Sequence, residues 1–170
     1  LDATGTTVRT YGDNAFGAHA LLGQMKLTDV AITTGEAGSN KGNSSHGIRV
    51  DQGSFLTMIG GSVTTYGNSA DGVLSISGGS TVTASGVSIS TSGTSGHGAV
   101  AQFGARLSMN GGSITTTGNS AYGLFSVGLS GVTGASVERG SAAGQSAWNA
   151  EDPEYLISRW ETDDGMPDSS

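Results

Sequence analysis

Apolar and polar residues alternate in short runs along most of this chain. Ser62-Val63-Thr64-Thr65, Gly72-Val73-Leu74-Ser75-Ile76 and Thr81-Val82-Thr83-Ala84 all show it. Alternation over four to six residues is the period of strands, not of helices. Gly, Asn and Ser punctuate each run. The pattern therefore predicts many short strands joined by tight turns.

The runs also repeat. A Gly-Asn-Ser-Ala-x-Gly string begins at Gly12, Gly42, Gly67, Gly93 and Gly118, spaced 30, 25, 26 and 25 residues apart. Four residues before these glycines stand Val8, Val63, Ile89 and Ile114, and two before them stand Thr10, Thr65, Thr91 and Thr116. Ala18, Ile48, Val73, Ala99 and Leu124 follow the second glycine of each string. A later glycine recurs at Gly23, Gly53, Gly78 and Gly104, before a third apolar beat at Leu56-Thr57-Met58, Val82-Thr83-Ala84 and Leu107-Ser108-Met109. A period of this length marks a solenoid or array. Hairpins give no reason for one residue type to return every 25 positions. A coil does, because equivalent residues stack about 4.8 Å apart on neighbouring turns.

The expected fold is all-β: a right-handed parallel β-helix of about five three-strand rungs. Val stacks on Ile inside, Thr on Thr, and Gly on Gly at corners taken to need φ > 0. The long first interval is an insertion, Gly35 to Lys41, expected to bulge from one corner. Five such rungs make a rod roughly 25 Å long.

Composition divides the chain. Of 170 residues, 30 are Gly, 2 Pro and none Cys, while hydrophobic residues reach 35% and charged ones 12%. No disulfide framework or thiolate metal site is available. The net charge of −7 sits mostly in residues 138–170, where eight acids face Arg139 and Arg159. The expected organisation is a β-helix domain over 1–137 and an acidic extension over 138–170. Nucleic acid is an unsuitable partner for such a balance. No apolar run approaches the 18 residues of a membrane-spanning helix. Because the chain opens at Leu1 without a signal-like segment, it reads as a piece of a longer protein.

Repeats such as Gly112-Ser113-Ile114-Thr115-Thr116-Thr117-Gly118-Asn119-Ser120-Ala121-Tyr122-Gly123-Leu124 resemble the passenger domains of bacterial autotransporters, the pertactin-like β-helices. The resemblance covers roughly residues 3–137. It implies export through the outer membrane to the cell surface, linkage to a C-terminal outer-membrane β-barrel, and a stalk or adhesin role without catalytic residues in the helix. The partner it implies is a host-cell protein or glycan receptor. No motif carries a catalytic or cofactor-binding residue across, so no enzyme activity and no cofactor are expected. The alternative is a carbohydrate-active β-helix enzyme. It would need a clustered acid groove, and Asp51 and Asp71 fall in different columns.

Two constellations bear on chemistry. His46, Asp71 and His97 share one column and would stack as His–Asp–His, a weak metal candidate beside the simpler reading of a solvated turn. The column two residues after the second glycine places His19, Arg49, Leu74, Val100 and Phe125 outward. Arg49, Leu74, Val100 and Phe125 form a candidate contact stripe for a partner, or else a surface under a loop or the tail. The Thr-rich ranks do not make an ice-binding face, because Thr10, Thr65, Thr91 and Thr116 share the parity of the inward Val and Ile. In the tail, Asp152-Pro153-Glu154 followed by Tyr155-Leu156-Ile157 and Trp160 predicts a short helix that caps the open end of the coil, with disorder from Thr162 to Ser170.

Overall fold

The computed structural model describes residues 1–39, 41–128 and 130 in full, and 131–133, 136–139 and 145–149 by their backbone. The expected tail helix and the disorder after it lie outside the described residues. The chain is all-β and winds as a parallel β-solenoid of about five turns.

The first turn holds β1 (Asp2–Thr4), β2 (Thr7–Thr10) and β3 (Ala18–Leu21). The second holds β4 (Gln24–Thr28), β5 (Ala31–Thr34) and β6 (Ile48–Asp51), and the third β7 (Phe55–Ile59), β8 (Ser62–Thr65) and β9 (Val73–Ile76). In the next two turns the first two strands fuse, giving β10 (Thr81–Thr91) with β11 (Ala99–Gln102), then β12 (Arg106–Thr116) with β13 (Tyr122–Val127). β14 (Gly131–Thr133) and β15 (Ser136–Arg139) pair onto β12, and β16 (Gln145–Asn149) pairs onto β13. Pairing thus continues past the composition change at 137.

Every strand pairs in parallel with its equivalent one turn away, so the repeat columns become physical stacks. Met25, Leu56, Val82 and Leu107 lie in one register, and Ala18, Ile48, Val73, Ala99 and Leu124 in another. The stack from Val8 runs through Ile32 to Val63, Ile89 and Ile114. Ile32 and Thr34 belong to the repeat, although the insertion displaces them from the sequence spacing. These inward side chains form one continuous buried core. Burying each large one contributes about 1.5–3 kcal/mol before chain entropy is counted.

The inward threonines satisfy the corner that follows them. Oγ1 of Thr10, Thr34, Thr65 and Thr91 donates to the carbonyls of Ala15, Ser45, Ala70 and Gly96 at 2.7, 2.6, 2.7 and 2.7 Å. The insertion bulges between Gly35 and Gly42, whose backbones nearly touch, and Ser39 N–H donates to the Glu36 carbonyl at 3.1 Å within it.

The expectation of positive φ holds at some corners and fails at one: Gly60, Gly86 and Gly111 stack with φ of 63°, 64° and 65°, and Gly53 and Gly104 have φ of 73° and 83°, but the corner of the Gly-Asn-Ser-Ala-x-Gly string differs. Among Gly12, Gly42, Gly67, Gly93 and Gly118, only Gly42 has positive φ. The left-handed residues of that corner are Asn14, Ser44, Ser69, Ser95 and Ser120, with φ of 55°, 54°, 52°, 54° and 53°. The glycines instead allow close approach. A Cβ on Gly93 would fall on the carbonyl of Gly67, and one on Gly98 would overlap Ile114 Cγ2 and stand 2.6 Å from the Gly123 oxygen. Turns 4.8 Å apart leave no volume there for a side chain.

Candidate functional site

The richest chemistry lies on the outer surface of the β3–β6–β9–β11–β13 stack and the corner preceding it. Phe16, His46, Asp71, His97 and Tyr122 occupy successive turns of one column, just before the second glycine of each repeat. His46, Asp71 and His97 do stack, but as a hydrogen-bond ladder rather than as a solvated turn. The Asp71 amide donates to His46 Nδ1 at 3.1 Å, the His97 amide to Asp71 Oδ1 at 2.9 Å, and the Tyr122 amide to His97 Nδ1 at 3.0 Å. Each side chain therefore satisfies the backbone N–H of the next turn. His46 Nδ1 also lies 3.3 Å from Asp71 Oδ2. An amide hydrogen is always present, so the nearer amide takes the Nδ1 lone pair and the carboxylate contact is secondary. Nδ1 of both histidines and Oδ1 of Asp71 are thus already engaged. Among the described residues, no group of three or more His, Asp or Glu is arranged to hold a metal ion.

A parallel ladder runs through the adjacent corner. Asp13 Oδ1 accepts from the amides of Gly42 and Asn43 at 2.9 and 2.8 Å, Asn43 Oδ1 from Asn68 at 3.1 Å, and Asn68 Oδ1 from Thr94 at 3.0 Å. This is the physical reason for Asn or Asp after the first glycine. A short side-chain acceptor reaches the next turn where the strand ladder is interrupted.

Rings pack along the same surface. The imidazole of His97 stacks on Phe125, one turn on, at 4.6 Å between centroids and 6° between planes. Phe16 stacks on His46 at 5.5 Å, and the Arg49 guanidinium sits 5.3 Å from the Phe16 centroid. Arg49 also binds Asp51 Oδ2 at 2.9 Å. Burial works against ionisation of Asp51, but hydrogen bonds from Arg49, from Ser77 at 2.8 Å and from the Gln52 amide at 2.8 Å outweigh it. The carboxyl is held below its ordinary range. Burial lowers the pKa of His97, with the Asp71 charge opposing. Burial and the Arg49 charge lower that of His19, with Asp51 opposing.

The structure corrects the expected contact stripe of Arg49, Leu74, Val100 and Phe125. The four do align, since Arg49 pairs with Leu74, Leu74 with Val100, and Val100 with Phe125. They point away from the inner core, which includes Val73 and Ala99 but not Leu74 or Val100. Yet Leu74 is 5% exposed and Val100 0%. Arg49 and Phe125 are half-buried. The middle of the stripe is therefore not a free surface.

The two acids weighed for carbohydrate chemistry are both occupied. Asp51 holds Arg49 and Ser77, and Asp71 holds the His97 amide. Compared with protein-family models, with curated proteins and with solved structures, the chain matches none. Among the described residues, no helix is long and apolar enough to cross a membrane.

Proposed function

We propose that this chain is a non-catalytic, surface-displayed β-helix segment of an autotransporter-type protein, acting as a stalk or adhesin scaffold. The observation that carries the reading is the use made of its polar side chains. Asp13, Asn43, Asn68, His46, Asp71 and His97 all hold one turn to the next. A rod whose corner side chains are spent on its own backbone is suited to stiffness and display rather than to chemistry. The Glu36–Lys41 bulge is the protruding loop that such a rod would present. The family resemblance of the repeats supplies the export route and the partner class, a host-cell protein or a glycan.

The test is binding without turnover. Glycan-array and host-cell binding by the chain, with no reducing ends released from polysaccharides, is the expected result. Liberated reducing ends would overturn the reading in favour of a carbohydrate-active enzyme. In the full-length protein, a downstream series of alternating strands forming a barrel is expected. A full-length chain without one would overturn the export route.

A further inference from the structure

We propose that the junction between the fourth and fifth turns is an acid-sensitive latch, opened when His97 takes up a proton, while the equivalent junction between the second and third turns stays closed in the same acid. Both junctions are built alike. His46 Nδ1 accepts from the Asp71 amide at 3.1 Å, and His97 Nδ1 accepts from the Tyr122 amide at 3.0 Å. Beside these bonds the Gly47 amide donates to the Asp71 carbonyl at 2.9 Å, and the Gly98 amide to the Tyr122 carbonyl at 2.8 Å. A neutral imidazole that accepts at Nδ1 carries its hydrogen on Nε2, so a proton taken up in acid goes to Nδ1. It then sets one N–H against the backbone N–H of the next turn. Two facing donors form no bond, and one of them must give way.

The second acceptor within reach separates the two histidines. Asp71 Oδ2 lies 3.3 Å from His46 Nδ1, so a new N–H there gains a carboxylate partner without the ring leaving its place. Among the described residues, no carboxylate forms such an ion pair with His97. The titratable and charged groups that face His97 are Asp71 from the turn before, whose Oδ1 accepts from the His97 amide, and Tyr122 from the turn after. His46 faces Asp71 from the turn after, with His19 and Arg49 packed on the Phe16 ring that stacks on it. Attraction of a cation to an aromatic face does not distinguish the two, since His46 stacks on Phe16 and His97 on Phe125. Burial already opposes a charge on His97, with Asp71 working the other way. Acid therefore favours the state in which the His97 ring has swung out, leaving the face of Phe125 and breaking its bond to the Tyr122 amide.

Amide hydrogen exchange, read by NMR as protection factors at pH 8 and pH 5, follows both junctions side by side in the full chain. Protection of the Gly98 amide is expected to fall about tenfold in acid, because opening linked to one proton grows by at most about tenfold per pH unit below about 6.5. Protection of the Gly47 amide is expected to change less than about twofold on the same linkage. Equal loss at both glycines, loss at neither, or loss at Gly47 alone would overturn the proposal. So would a loss at Gly98 matched by the core strands β8 and β10, which marks global unfolding. Two variants test the cause. His97→Asn keeps an acceptor that does not titrate and should leave Gly98 equally protected at both pH values. A persistent acid effect at Gly98 in that variant overturns the latch. Asp71→Asn takes the carboxylate from His46 and should make Gly47 acid-sensitive too, and a Gly47 that stays insensitive overturns the contrast. Melting at both pH values shows whether each variant folds, and where one does not, the wild-type comparison of Gly98 with Gly47 decides.

Discussion

Nδ1 of His97 lies 3.0 Å from the backbone nitrogen of Tyr122, one turn further along the solenoid, and accepts its proton. The bond requires an imidazole unprotonated at that nitrogen. Burial lowers the pKa of His97 from 6.5, against the opposing charge of Asp71. Below pH about 6.5 the unfolded chain therefore binds the proton first. Stability from this group is complete above that pH and is lost as pH falls through the lower, folded value. His19 acts in the same direction. Thermal melts at pH 8 and pH 5 should show the lower midpoint at pH 5. His97→Asn, which keeps an acceptor without titrating there, should reduce that difference. His97→Phe should keep the ring but lose about 1–3 kcal/mol at pH 8 through the unsatisfied Tyr122 amide.

Asp51 shows the carboxylate counterpart. It joins Arg49 and Ser77, and its hydrogen bonds hold its pKa below 3.8 despite burial. A depressed carboxyl stabilises the fold above its unfolded pKa, and that contribution disappears as pH falls through the folded value. Asp51→Asn should therefore cost about 1–3 kcal/mol at pH 7 by urea titration. The difference from wild type should shrink as both are taken below pH about 4.

Close approach rather than backbone angle explains Gly98. A methyl there would overlap Ile114 Cγ2 and crowd the Gly123 carbonyl, both within the packed stack. Gly86 has φ of 64° and nothing within 4 Å of a built Cβ. Gly98→Ala should cost about 3 kcal/mol or more by overpacking. Gly86→Ala should cost only the left-handed strain, about 1–2 kcal/mol. Paired urea titrations of the two variants give the comparison.

The fold was legible because its cause is periodic. Val63, Ile89 and Ile114 recur at the spacing of one turn and become one stack. Ile32 and Thr34 share that stack but escaped the spacing, because a loop insertion changes sequence distance without changing register. The chemistry of the corners was harder to read. His46, Asp71 and His97 look unrelated as residue types, yet all three offer an acceptor to the next amide. Only the geometry reveals that common property. Alternation gave the direction of Leu74 and Val100 but not their burial, which depends on what lies across the sheet face.

The inner threonines offer a test of polar satisfaction within an apolar stack. Thr91 is 1% exposed, and its hydroxyl donates to the Gly96 carbonyl at 2.7 Å. Thr91→Val preserves shape and strand preference but removes the donor. The expected loss is about 1 kcal/mol, with more if the Gly96 carbonyl finds no water. Thr65 makes the same bond to Ala70 one turn earlier. Because Thr65 and Thr91 are paired neighbours on adjacent turns, the double variant Thr65→Val/Thr91→Val should depart from the sum of the singles by about 0.5 kcal/mol or more. Guanidinium unfolding of both singles and the double measures this.

Ser69 and Ser95 sit with φ of 52° and 54°, where a serine side chain meets steric cost. The equivalent position in the first turn is Asn14, at 55°. Asparagine tolerates this conformation better, because its amide can bond locally. Ser95→Asn should therefore raise stability by about 0.5–1 kcal/mol. Ser95→Gly removes the steric cost too but adds freedom to the unfolded chain, so its gain should be smaller. The substitution leaves the backbone bond from Ser95 N–H to the Asn119 carbonyl, 2.8 Å in the native corner, available in both variants. Melting midpoints should rank Asn above Gly above Ser. A midpoint for Ser95→Asn at or below wild type would mean that the serine hydroxyl, and not the backbone angle, governs this corner.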